Sequence, residues 1–454
     1  MNAAITLFQQ AAALRPGDPE AFFALAQALT DRGTYAEAEA AYGKAINLYV
    51  EKEKKSAGSG LSFRPNIAMS LNNLAVVYYR EKKFAEALTA VDQAMKVWTP
   101  ASSVPAEFWA TRGTILEAQL HPEEAIQAYR TALARDPRQA DALLNLGIAL
   151  EKKGQTDEAL ALLQKAAALN GDDGEVLGAL GSALAAKERW EEAAAAFTKA
   201  AALKPDSAAV YMDLSNAQQH LGKNAEAAES MRKAHALNPG DAAPAGNLGT
   251  VLARQGQYEQ AVPLLREALA ARPDAPETAQ TLSTSLLALG EYAGALSVLD
   301  VPLQAHPENA DLHNSRGLAL SALQKQSLAL AEFDAALKIR PGDSDIQTNH
   351  AIALMLGGRG KEAVPEFQAV LAREPENVKA WANLGGCYFK LGRYEDAAET
   401  YNKAVALAPN EDYLWTNLGN ALQRAGRPQE AQKAIARARQ LRPAGESSGK
   451  ATSH

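Results

Sequence analysis

Asparagine carries a carbonyl acceptor and an amide donor on one short side chain, so it can pair with a peptide backbone whatever the neighbouring side chains are. In this chain Asn145, Asn247, Asn349, Asn383 and Asn417 stand in one register of a 34-residue period, and Asn73 holds the equivalent position in a separate segment. Other chemistry finds no such arrangement. The seven histidines include no HExxH or comparable ligand grouping, and His306 and His313 straddle only a proline-containing connection. The single cysteine, Cys387, cannot close an intramolecular disulfide and has no cysteine or histidine at ligand spacing. No serine lies in a nucleophile-elbow context. Glu20, Glu107, Asp141, Glu175, Glu277, Asp311 and Asp345 recur at the starts of helical segments, where a carboxylate suits the positive end of the helix dipole. The expectation is a chain with no catalytic residue, no metal and no cofactor.

The same period holds a small residue in place. Ala125, Ala159, Ala193, Ala227, Ala261, Ala295, Ala329, Ala363, Ala397 and Ala431 follow one another 34 residues apart. With Val378 counted as place 1, Trp381, Leu384, Gly385 and Tyr388 mark one face of a first helix. Gly392 turns the chain, Ala397, Ala398, Tyr401, Ala404 and Val405 mark a second helix, and Pro409 ends it. Each unit is therefore two antiparallel helices of about 13 residues, some 20 Å long. Glycine, alanine or serine at place 8 and alanine at place 20 let the two helices approach to the short limit of helix packing.

The set Trp381, Leu384, Gly385, Tyr388, Ala397, Tyr401, Ala404 and Pro409 resembles the tetratricopeptide repeat (TPR), and the match recurs along almost the whole chain. The resemblance implies an all-α, right-handed α-solenoid of about twelve helix-turn-helix repeats plus an N-terminal half repeat. It implies that place 6 faces a groove, which makes Asn73, Asn145, Asn247, Asn349, Asn383 and Asn417 groove residues, with Asn72, Met212, Asn216, Gln280 and Asn314 nearby. The Asn-Leu-Gly triplets at 145, 247, 383 and 417 are similar to the asparagine ladder in the repeats of O-linked N-acetylglucosamine transferase, whose catalytic domain has no counterpart in this sequence. No three consecutive repeats hold the lysine, arginine and asparagine set of chaperone-binding TPR proteins, so chaperone C-terminal tails are disfavoured ligands.

On this reading residues 1–445 form a single superhelix. Its half repeat is 2–18 and its repeats are 19–52, 68–101, 106–139, 140–173, 174–207, 208–241, 242–275, 276–309, 310–343, 344–377, 378–411 and 412–445. Residues 53–67 are an insertion, expected as a helix extension followed by a flexible loop, and SSVP at 102–105 lengthens another connection. The last helix carries Lys433, Arg437, Arg439 and Arg442 on a face able to meet water, and the tail 446–454 is expected to be disordered. Arg112, Arg316 and His350 replace leucine at place 7, and a cation there needs a partner. Pro302 replaces a packing alanine, so 276–377 is expected to be the least regular and most flexible stretch.

Composition narrows the partners. A net charge of −7 argues against nucleic acid, and no apolar run approaches the roughly 20 residues that span a bilayer. The N-terminus does not read as a secretory signal, which makes the cytoplasm the expected compartment. With every segment spent on repeats, the expected role is a non-catalytic scaffold that grips a protein or extended peptide. The alternative is a substrate-recruiting subunit of an enzyme, secretion or motility complex whose chemistry lies on another chain. Self-association through the terminal repeats stays open.

Overall fold

The computed structural model describes residues 2–56 and 61–441. The expected tail 446–454, Arg442 and residues 57–60 of the insertion lie outside the described residues. The described chain is all α-helix, 26 helices and one short 3-10 turn, and contains no strand. It divides into two compact units, residues 1–237 and 238–454, each with its own hydrophobic clusters.

From residue 106 onward, repeat 276–309 excepted, a 13-residue first helix pairs with a 14-residue second helix, as in Val378–Lys390 and Tyr394–Leu407. Many first helices start where a side chain caps them. Asp173, Asn309 and Asp343, each just before place 1, accept hydrogen bonds from the first free backbone N–H groups. Second helices end at place 30, two residues before the proline.

The turn between the helices is left-handed at place 15 in all twelve repeats. Eight of these residues are glycine, and the other four are Lys82, Leu120, Glu188 and Gln324, with φ between +57° and +83° across the set. Glycine takes that conformation without steric cost, whereas the other four hold it against the clash of their Cβ.

Packing within a repeat confirms the spacer. The alanine at place 20 is fully buried in every repeat from Ala38 to Ala431. Opposite it, place 8 does more than admit a close helix. A Cβ on Gly113, Gly181 or Gly317 would come within 2.5 to 2.6 Å of the ring of Tyr129, Phe197 or Phe333 at place 24. The glycine is the socket for that ring. Where serine replaces it, the hydroxyl donates to the place-20 carbonyl, Ser215 to Ala227 at 2.8 Å and Ser283 to Ala295 at 2.9 Å.

Within each unit every second helix but the last is held between its own first helix and the next one, and consecutive first helices touch. Consecutive second helices do not reach one another to that extent. First helices therefore line the tighter side of each unit and second helices the wider side.

Two departures are informative. The second helix of the first repeat runs from Tyr35 to Lys55, and the next helix begins at Arg64, so much of the insertion is helical. In repeat 276–309 the second helix is split into Tyr292–Ser297 and Asp300–Ala305, because Pro302 has no N–H for the Val298 carbonyl. The irregularity is confined to that repeat; in 310–377 each helix is continuous. Pro263 and Pro365, nearer the starts of their helices, leave them unbroken.

Candidate functional site

The place-6 asparagines sit mid-way along first helices, two residues from the glycine socket. That spacing turns them away from the helix-pair interface, since the side chains at places 6 and 8 diverge by about 200° on a 3.6-residue helix. In the unit 238–454, Asn247, Gln280, Asn314, Asn349, Asn383 and Asn417 supply one amide from each of six successive repeats, and none is buried. Gln280 and Asn314 stand one place earlier than the other four. Asn349 Nδ2 donates to Asn314 Oδ1 at 3.0 Å, which leaves the Asn314 amide hydrogens and the Asn349 carbonyl for a ligand.

The unit 1–237 is sparser. Asn73 is partly exposed and bonded to the Tyr42 hydroxyl, Asn145 donates to Thr114 Oγ1 at 3.2 Å, and Asn216 is exposed at place 9. Asp213 takes place 6 in that repeat. Partial desolvation, with the nearby Glu151 charge second, holds its carboxyl above the usual carboxylate range. Asn72, expected beside these residues, is instead fully buried, and its Nδ2 donates to Glu107 Oε1 at 3.3 Å. Its complete burial, with the amide committed to Glu107 on the next first helix, keeps it from a ligand.

Arg112, Arg316 and His350 at place 7 resolve into structure. Arg112 Nε bonds Asp92 Oδ1 at 2.9 Å, Arg316 lies 3.7 Å from Asp300, and His350 Nε2 lies 3.5 Å from Asp334. Each aspartate stands at place 25 of the preceding repeat, and aspartate occurs at place 25 in no other repeat. Glu332 and Glu366 complete the set, with His350 Nδ1 2.7 Å from Glu366. The sequence signal was the paired change, cation at place 7 with aspartate 16 to 20 residues earlier, which inspection of place 7 alone passes over.

A second recurrent contact ties repeats together. At place 4, Trp381 and Trp415 donate from Nε1 to the carbonyls of Pro375 and Pro409 at 2.8 and 2.9 Å, and His313 Nε2 meets Pro307 O at 3.0 Å. Trp109 follows the lengthened connection 102–105, where that proline carbonyl is displaced. Its indole N–H finds no acceptor among the described residues, and the Arg135 guanidinium lies over its ring instead.

Cys387 is fully buried, and burial pushes its thiol up, so it offers neither a nucleophile nor a ligand. Among the described residues no group of three His, Cys, Asp or Glu side chains is placed to hold a metal. No helix of the described residues is long and apolar enough to cross a membrane.

One tetratricopeptide-repeat model matches residues 2–49, 111–174, 179–242 and 348–412, more than half of the chain, and further models of the same description match 66–138, 252–319 and 400–433. The chain belongs to the tetratricopeptide repeat family. Among curated proteins it is similar to the protein O-mannosyl-transferase TMTC1 of Homo sapiens, 32% identical over 144 residues, and to the Mus musculus protein of that name, 27% over 134 residues. These stretches are 32% and 30% of this TPR chain but only 15% and 13% of those proteins. Among solved structures it is similar to one titled as the APC/C hetero-tetramer Cut9-Hcn1, with 16% identity over 92% of each chain and a TM-score of 0.47. It is also similar to MamA, with 26% identity over 35% of this chain and 92% of that one and a TM-score of 0.33.

Proposed function

We propose that this TPR protein is a non-catalytic scaffold that binds an extended segment of a partner protein along the first helices of the unit 238–454. The observation that carries the reading is the run of six amides, Asn247, Gln280, Asn314, Asn349, Asn383 and Asn417, one per repeat and none buried. With helices about 10 Å apart, six repeats present a path of roughly 50 Å, which an extended strand of about 15 residues would follow. An amide every repeat can accept from and donate to the backbone of such a strand, which gives affinity tolerant of sequence. The cytoplasm is the compartment we assign to this role.

The second reading, recruitment of substrates to a transferase on another chain, draws support from the similarity to part of an O-mannosyl-transferase. It uses the same face and differs only in the fate of the captured segment. The two are separated from a catalytic role by assaying the purified chain for sugar transfer: a scaffold or recruiting subunit is inactive alone, and activity of the isolated chain overturns both.

The binding proposal is tested by replacing Asn247, Asn349 and Asn383 together with alanine. Affinity purification from the source cell with quantitative mass spectrometry then compares the variant with wild type. Loss of one set of partners supports the reading, and unchanged recovery of every partner defeats it.

A further inference from the structure

At place 11 the first helix normally turns a large apolar side chain inward. Leucine occupies it in nine of the twelve repeats and tyrosine in two, Tyr78 and Tyr388. Repeat 208–241 alone has a carboxamide there, Gln218, which is only 9% exposed. Ser230 on the facing second helix is 6% exposed, and its hydroxyl donates to Gln218 Oε1 at 2.8 Å. A buried polar pair in place of a leucine contact costs stability unless its remaining hydrogen-bonding capacity is met. That capacity is unspent: Gln218 Nε2 donates to none of the described residues, and the Ser230 oxygen keeps its lone pairs.

The pair lies at the bottom of a cleft of about 620 Å³, within the range of small-ligand sites. Its walls are the second helices Trp190–Leu203 and Asn224–Leu237, and its floor is the first helix Ala208–His220. Buried Leu214 and the ring of Tyr211, one and two turns before Gln218, make the floor apolar beside the amide, and Ala201 and Ala202 line a wall. Glu226, Glu229 and Lys233 stand exposed at the mouth, with the Lys233 ammonium 5.7 Å from the centre of the Tyr211 ring. The cleft opens on the second-helix side. Asn216, two residues from Gln218, points the other way, so this site is separate from the asparagine face and does not depend on it.

We infer that this cleft binds a tyrosine-like group of a partner segment, an aromatic body with a neutral hydroxyl head. The head must both accept a hydrogen bond, from Gln218 Nε2, and donate one, to Ser230 Oγ, which a hydroxyl does at a single atom. A charged head would be desolvated against an uncharged amide and hydroxyl without a counter-ion. The apolar walls and the Tyr211 ring suit a planar body.

The test uses the full chain and two probes, N-acetyl-L-tyrosine amide and N-acetyl-L-phenylalanine amide, followed by NMR titration. The tyrosine probe binds about tenfold or more tightly than the phenylalanine probe, because a site built to bond a hydroxyl is left unpaired by the analogue. Gln218→Leu, the residue of nine other repeats, abolishes that preference while the melting temperature stays equal or rises. Ser230→Ala, a smaller change, reduces the preference and guards against misfolding of the first variant. Equal binding of the two probes, no shift for either at Tyr211 and Gln218, or an undiminished preference in a folded Gln218→Leu protein would overturn the assignment.

Discussion

Place 8 sets how closely a helix pair of this protein packs against its place-24 side chain. Gly317→Ala places a Cβ 2.6 Å from the fully buried Phe333 ring, so ring or helix must shift to admit it. The substitution is expected to destabilise the chain by about 1–3 kcal/mol, read from the urea midpoint, and an unchanged midpoint would disprove the socket. Glu107 supplies a second test at this scale. Partial desolvation by the surrounding helices, then the charge of Asp141, raises its carboxyl above the usual range. The folded state thus binds the proton more tightly than the unfolded state, so stability falls as pH rises from the ordinary carboxylate range through the raised one. Glu107→Gln keeps an acceptor for Asn72 and removes the charge. Urea midpoints between pH 4 and 7 should show wild type losing stability where the variant does not, and parallel curves would contradict this. Residue-level legibility was uneven. Alanine at place 20 announced itself by repetition, but the partners of Arg112, Arg316 and His350 lay one repeat away, and Asn72 looked exposed because its helix position does not reveal the neighbouring Glu107.

Helices and turns were the most legible level, because a 34-residue period repeats the same physical demands until they stand out from any one repeat. Gly392 and its equivalents signalled a left-handed turn. What they could not signal is that Lys82, Leu120, Glu188 and Gln324 adopt the same turn without glycine's freedom, since the hairpin geometry imposed by the buried faces overrides local preference. Leu120 has φ +64° and is 87% exposed, so its side chain contributes little packing. Leu120→Gly is therefore expected to stabilise the chain by about 0.5–1 kcal/mol, relief of backbone strain outweighing the added freedom of the unfolded state. A lower urea midpoint in the variant would refute that balance. Pro302 marked the interruption, but it stays within its own repeat, since the next helices, Ala310–Ala322 and Gln326–Ile339, are continuous.

At the scale of the whole molecule the sequence pattern reads as one uninterrupted array, and the internal contacts gather into two units, residues 1–237 and 238–454. The 34-residue register runs through that boundary without a gap, so it carries no mark of it. Units that each bury their own core need not unfold together. Calorimetry should give a van't Hoff enthalpy below the measured one, and equality of the two would show a single cooperative block. The asparagine face was readable as a spacing, and what the structure adds is that none of the six amides of the second unit is buried. Function turns on whether those amides read a peptide backbone. The most direct measurement takes a partner segment captured by the wild-type chain and compares its affinity with that of the same peptide N-methylated at alternate residues, which keeps every side chain and removes backbone donors. The methylated peptide is predicted to bind at least tenfold more weakly, with Asn247, Asn349 and Asn383 to alanine narrowing the difference; equal affinity of the two peptides would contradict the account.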